Sequence, residues 1–170
     1  MTTINAALLA AALLFVLFIV AQALLPALIR RRGDRASSAK MDDAILRAND
    51  TARPAAQRAE AFREGATIAL DELRRPRLAL RLLTSAESVA PGEPATIALV
   101  ERAMLRAKDL GALERFLWQT MDAHRGTPAH ARALDALLAL YDGPMKTPER
   151  ARVLRAMSAP RDATTERPSR

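Results

Sequence analysis

The stretch LALRLLTSAESVAPGEP, residues 78–94, holds a helix, a stop and a restart. Leu78, Leu82 and Val89, together with Ala79, Leu83 and Ala86, recur at steps of three, four and seven. Such spacing makes one side of a helix apolar and turns it toward other protein. Pro91-Gly92 ends that helix. Pro94 then opens another at a position where a missing N–H costs little. The unit read here is a helical hairpin.

Working outward, the same pattern fills the chain from Ala55 to Met157. Ala59, Phe62, Ala66, Ala69 and Leu73 form one stripe, which runs up to Arg74-Arg75-Pro76. Ile97, Val100, Met104 and Leu105 mark the helix after Pro94, which closes near Asp109-Leu110-Gly111. Leu113, Phe116, Leu117, Thr120 and Met121 mark the next, up to Arg125-Gly126. Thr127-Pro128 and Thr147-Pro148 have the form of an N-cap followed by proline at the first helical position. Between them lie Ala131, Leu134, Leu137, Leu138 and Tyr141; after them come Val153, Leu154 and Met157. No sustained two-residue alternation and few β-branched residues appear, so the fold class is all-α.

Several of these signals recur after 34 residues: Pro91-Gly92 and Arg125-Gly126, Arg77 and Gly111, Pro94 and Pro128. That is the period of tetratricopeptide-type hairpins. Ala79, Leu83, Ala86 and Pro91 have the spacing of the small, large, small and proline positions of that motif's second helix. Leu113, Leu117 and Thr120 stand at the equivalent places one period later, with the small residues lost. The motif's first helix matches poorly, and Gly65 is out of register by two. Over residues 55–157 the chain resembles a degenerate tetratricopeptide-repeat α-solenoid of two and a half hairpins. The resemblance implies a concave surface that binds peptides or partner domains. A plain helical bundle is the alternative.

The N-terminal part has another character. Residues 6–29 carry eight leucines and one strongly polar residue, Gln22. As a helix they extend about 36 Å, beyond a hydrocarbon core of about 30 Å. The expectation is a transmembrane helix. A cleaved signal peptide would use Ala21-Gln22-Ala23, yet Met1–Asn5 lacks the basic residues such a peptide begins with. Arg30, Arg31, Arg32 and Arg35 follow the apolar stretch and no cation precedes it, which orients residues 30 onward to the cytoplasm. Gly33–Ala39 reads as a flexible spacer, with a short helix at Ala44–Ala48 interrupted by Pro54. The expected organisation is thus a span at 6–29, a basic juxtamembrane segment and linker at 30–54, the repeat domain at 55–157 and a disordered tail at 158–170.

Charge narrows the function classes. Of the net +7, residues 30–40 hold +4 and residues 41–160 only +2. A nucleic-acid binder spreads its excess over a folded face, and aromatic residues for base stacking are few, so no nucleic acid is expected. Cysteine is absent, which excludes disulfides and thiolate sites. His124 and His130 have no companions at metal-ligand spacing. Nucleophile motifs and phosphate-cradling glycine loops are missing too, so neither catalysis, a cofactor nor a small-molecule substrate is expected.

Two features remain as candidate partner contacts. Arg74, Arg75, Arg77 and Arg81 gather at one helix junction, and arginine's planar fork suits a partner carboxylate. Phe116 and Trp118, two apart on one helix, cannot both lie fully in one core; either one of them lines the groove, with Trp118 the candidate contact, or both pack against separate neighbours. Arginine and alanine bias points to a bacterial genome. The reading is a single-pass inner-membrane protein, N-terminus outside, that touches the lipid bilayer and docks protein partners of a membrane complex as an adaptor or accessory subunit. Its rivals are a structural subunit whose span packs in a larger assembly and a helical-repeat protein facing the periplasm.

Overall fold

In a computed structural model, residues 34–158 are described. They form a bundle of seven helices: α1 (34–49), α2 (Ala55–Asp71), α3 (Pro76–Val89), α4 (Pro94–Ala107), α5 (Leu110–Ala123), α6 (Pro128–Asp142) and α7 (Pro148–Ser158). No strand occurs among the described residues.

Proline sets four of the starts, because Pro76, Pro94, Pro128 and Pro148 each occupy the first helical residue. At α5 the start is set by Asp109, whose carboxylate accepts the Ala112 N–H at 3.1 Å. Thr127 departs from the capping expectation. Its hydroxyl donates back to the His124 carbonyl at 2.7 Å, so the α6 N-terminus has no side-chain cap.

The backbone repeats along with these starts. Gly92 and Gly126, 34 residues apart, have φ values of 73° and 75°. Arg74 and Lys108, also 34 apart, have φ values of 54° and 58°. Glycine is required at 92: a Cβ there would lie 2.6 Å from the His124 ring. Arg74 and Lys108 take the left-handed conformation at the C-terminal ends of α2 and α4, where a cation complements the helix dipole. The spacing read from proline and glycine is therefore also a spacing of backbone conformation.

Loops of two to five residues join the helices, so consecutive helices reverse direction and pack as neighbours. Besides these sequential pairs, α2 packs on α4 and α4 on α6, whereas α3 and α5 are not neighbours. The bundle is compatible with a helical-repeat solenoid. Its core has two clusters, one centred on α2 and α3, the other on α5 and α6. Met104 and Phe116 pack against both and make the interior continuous.

Alanine makes up much of the buried interior. Ala59, Ala69, Ala79, Ala86, Ala103 and Ala133 are wholly buried. Ala79, Leu83 and Ala86 all face the core, as do Leu113, Leu117 and Thr120 one period later. The apolar stripe of α2 is buried at Ala59, Phe62, Ala66 and Ala69.

Two expectations are corrected. First, residues 34–43 are not a flexible spacer but the opening of α1, whose Ser37, Met41, Ala44 and Ala48 are buried at helical steps of four, three and four. Met41 and Ala44 lie over Gly65 of α2, where no side chain intervenes. The Ser37 hydroxyl donates to Glu72 at 2.6 Å, Arg47 pairs with Glu64 at 3.0 Å, and Arg58 donates to the Ala48 carbonyl at 2.9 Å. Second, among the described residues no helix is long and apolar enough to cross a membrane. The longest, α2, has 17 residues, or about 25 Å, and carries charge on its outer face. The expected transmembrane fold and single-pass inner-membrane placement, with the N-terminus outside and the domain in the cytoplasm, are not sustained. The segment 6–29 to which that expectation was fixed lies outside the described residues, as do Arg30, Arg31, Arg32 and the tail from residue 159. Arg35 is exposed on the first turn of α1.

Paired substitutions test the close helix contacts. Ala79→Leu is expected to destabilise the fold by about 1–3 kcal/mol, because Ala79 is fully buried in the first core cluster and added methylenes overpack it. Gly65→Ala is expected to stabilise it by about 0.5–1 kcal/mol. Its Cβ would sit 3.4 Å from Leu82 and 3.7 Å from Ala44, ordinary contact distances, while helix propensity improves. Thermal melts of both variants check the pair; an unchanged Ala79→Leu midpoint contradicts the packing.

Candidate functional site

The arginine cluster forms where α2 ends and α3 begins. Arg74 and Arg75 occupy the turn, Arg75 being the residue before Pro76, and Arg77 and Arg81 lie one turn apart on α3. With Pro76 and Leu78, and with Arg106 and Ala107 from the end of α4, Arg75, Arg77 and Arg81 line an open cleft of about 650 Å³. A neighbouring recess of about 480 Å³ adds Arg74, Leu70 and Asp71. Arg106 and Asp71 were not legible as members of this site, being about 30 residues from the arginine run or of opposite sign. The 34-residue period contains the signal, since it sets the end of α4 beside the end of α2.

Electrostatics at the cleft are one-sided. No acidic residue lines the cleft among the described residues, and Asp71, which lines the neighbouring recess, is engaged by Arg102 at 2.7 Å and Arg106 at 2.9 Å. Arg106 also donates to the Leu70 carbonyl at 2.6 Å. Arg74, Arg75, Arg77 and Arg81 make no ion pair or side-chain hydrogen bond among the described residues. Elsewhere on the surface arginines are mostly engaged: Arg47, Arg53, Arg125, Arg132, Arg150 and Arg155 all pair with carboxylates. The start of α3 adds positive potential, for its first turn carries no acidic residue and no side-chain cap.

Trp118 lies elsewhere and shares no lining residue with the cleft. It borders a groove of about 340 Å³ with Tyr141, Glu149, Arg150, Val153, Leu154 and Met157. Phe116 is partly buried between the two core clusters while Trp118 is 37% exposed, as two residues on different sides of one helix should be. The indole is fixed rather than loose. Its N–H donates to the Tyr141 hydroxyl at 3.2 Å, which donates to Glu114 at 2.6 Å, and Arg150 reaches the same carboxylate at 2.9 Å. The Arg150 guanidinium lies over the Tyr141 ring, 5.9 Å from its centre. Burial pushes the Tyr141 phenol above its ordinary value, and the bond to Glu114 acts in the same direction. The sequence offered Trp118 alone; its companions come from α6 and α7.

Chemistry of other kinds has little to work with. Among the described residues no three His, Asp or Glu side chains gather to hold a metal ion. His130 bonds the Met121 carbonyl at 3.0 Å, and His124 lies 3.9 Å from Glu87. No protein family, curated protein or solved structure matches the chain.

The chain has one tyrosine, so its titration can be read directly from ultraviolet absorbance. Tyr141 is expected to ionise above the usual value of about 10. Glu114→Gln is expected to bring the midpoint down. Because folding favours the neutral phenol, its stabilisation is present below about pH 10 and is lost as pH rises through the folded-state value. An ordinary midpoint in the folded protein contradicts the buried network.

Proposed function

We propose that the chain is a protein-docking module, an adaptor or accessory subunit that binds a partner protein on a helical-repeat surface of the tetratricopeptide type. The repeat assignment is supported by the 34-residue recurrence of helix starts and turn conformations. Burial of Ala79, Leu83 and Ala86 in one contact supports it too. Stacking of α2 on α4 and α4 on α6 is what hairpins following one another in a solenoid produce.

One observation carries the docking reading. Four arginines border a cleft and its neighbouring recess, and among the described residues none of them pairs with a carboxylate, whereas most other arginines do. Self-repulsion at such a corner disfavours the isolated fold, and an acidic partner relieves it. A plain structural bundle needs no such corner.

The full chain carrying a photo-reactive amino acid in place of Arg81 tests this when irradiated in its native cells. A discrete protein adduct is expected, lost when Arg75 and Arg77 are both changed to Gln, and absent when the reactive group replaces Gln119 on the exposed face of α5. Adducts of equal yield from both positions, or adducts to nucleic acid, would contradict docking at this corner.

A further inference from the structure

We infer that the cleft between the start of α3 and the end of α4 takes an acidic segment of a partner protein, one that carries an apolar side chain among its carboxylates. The inference rests on the docking reading above and names the partner's chemistry.

Charge complementarity is the first reason. Arg75, Arg77 and Arg81 point to a common cleft whose own acidic neighbour, Asp71, is already shared by Arg102 and Arg106. Three donor forks are thus left for carboxylates from outside. Spacing is the second. Arg77 and Arg81 are four residues apart on α3, about 6 Å along its axis. In an extended chain, residues two apart lie about 6.6 Å apart and face the same way. Successive facing carboxylates of an extended segment therefore match successive arginines.

The lining decides between a peptide and a phosphate polymer. Between the arginines lie Pro76, Leu78 and Ala107, an apolar floor that a phosphate backbone leaves uncovered. No aromatic residue lines the cleft, so a base has nothing to stack on. A leucine-like side chain next to the carboxylates covers that floor and removes it from water. Acidic residues alone satisfy half of the cleft, and an acidic segment with an apolar residue satisfies both.

The test uses the full chain and a fluorescein-labelled peptide of two Glu-Ser-Glu-Ser-Leu-Ser units, followed by anisotropy at low and moderate salt. Binding is expected, weakening as salt rises. Arg77→Gln with Arg81→Gln is expected to reduce affinity about tenfold. The pair Arg115→Gln and Arg152→Gln, exposed arginines outside the cleft with no ion pair among the described residues, is expected to leave it unchanged. Replacing the peptide's Glu by Gln is expected to abolish binding, and replacing its Leu by Ser to weaken it severalfold. All four arginines are exposed, and melting curves of the two variants are expected to match the parent's. Equal losses from the two variant pairs would overturn the inference, and so would tighter binding of a single-stranded DNA dodecamer than of the peptide. Should the peptide fail while the Arg81 adduct persists, the acidic-segment inference falls and docking stands. Absence of the Arg81 adduct from the chain with Arg75 and Arg77 intact removes docking.

Discussion

Alanine fills much of this protein's interior. Where two helices meet at a residue with one methyl group, their backbones approach closely, and the larger residues around the contact interlock. Ala79 and Ala86 on α3 and Ala59 and Ala69 on α2 are all fully buried, and Met41 and Ala44 of α1 lie beside Gly65 of α2. Short loops join the helices, and α2 packs on α4 across the hairpin. One leucine in place of an alanine at such a contact disturbs more than one pair, because interiors pack densely and transmit strain.

Arginines and carboxylates meet on the outer surface, and several pairs bridge helices that are distant in sequence. Asp71 of α2 meets Arg102 of α4, and Glu101 of α4 meets Arg132 of α6, each pair 31 residues apart. Exposed pairs of this sort contribute little each. Their recurrence records that the same face of α4 looks to α2 on one side and to α6 on the other. Against that background the unpaired arginines at the start of α3 stand out as a surface left for something else. The separate Trp118 groove, with its tyrosine, arginine and methionine, has the residue types enriched in protein interfaces.

Most of the helices were legible because proline and glycine punctuate them. Pro76, Pro94, Pro128 and Pro148 each stand where the sequence pattern opens a helix, and the stripe from Ala59 to Ala69 is buried as its spacing required. Of the first helix only the part at Ala44–Ala48 was legible, and its opening was not. Ser37, Met41, Ala44 and Ala48 do follow helical steps, but three of the four are small, and small residues carry a weak hydropathy signal beside a glycine and a run of arginines. The arginine corner was visible as a run of four in eight residues. Its cleft was not, because two of its seven lining residues, Arg106 and Ala107, come from another helix. The membrane expectation rested on residues 6–29 alone, and none of the described helices has that length and apolar character.

The central claim is that α4 lies between α2 and α6 in a stack of hairpins. The charge pair Glu101–Arg132 tests it most directly, because it exists only if α4 and α6 are neighbours. Melting temperatures of Glu101→Arg, Arg132→Glu and the double reversal decide the matter. Each single change is expected to lower the midpoint by placing like charges together, and the double change to recover most of the loss. A double variant whose loss equals the sum of the two single losses would mean that these side chains do not meet and that the helices stack in another order.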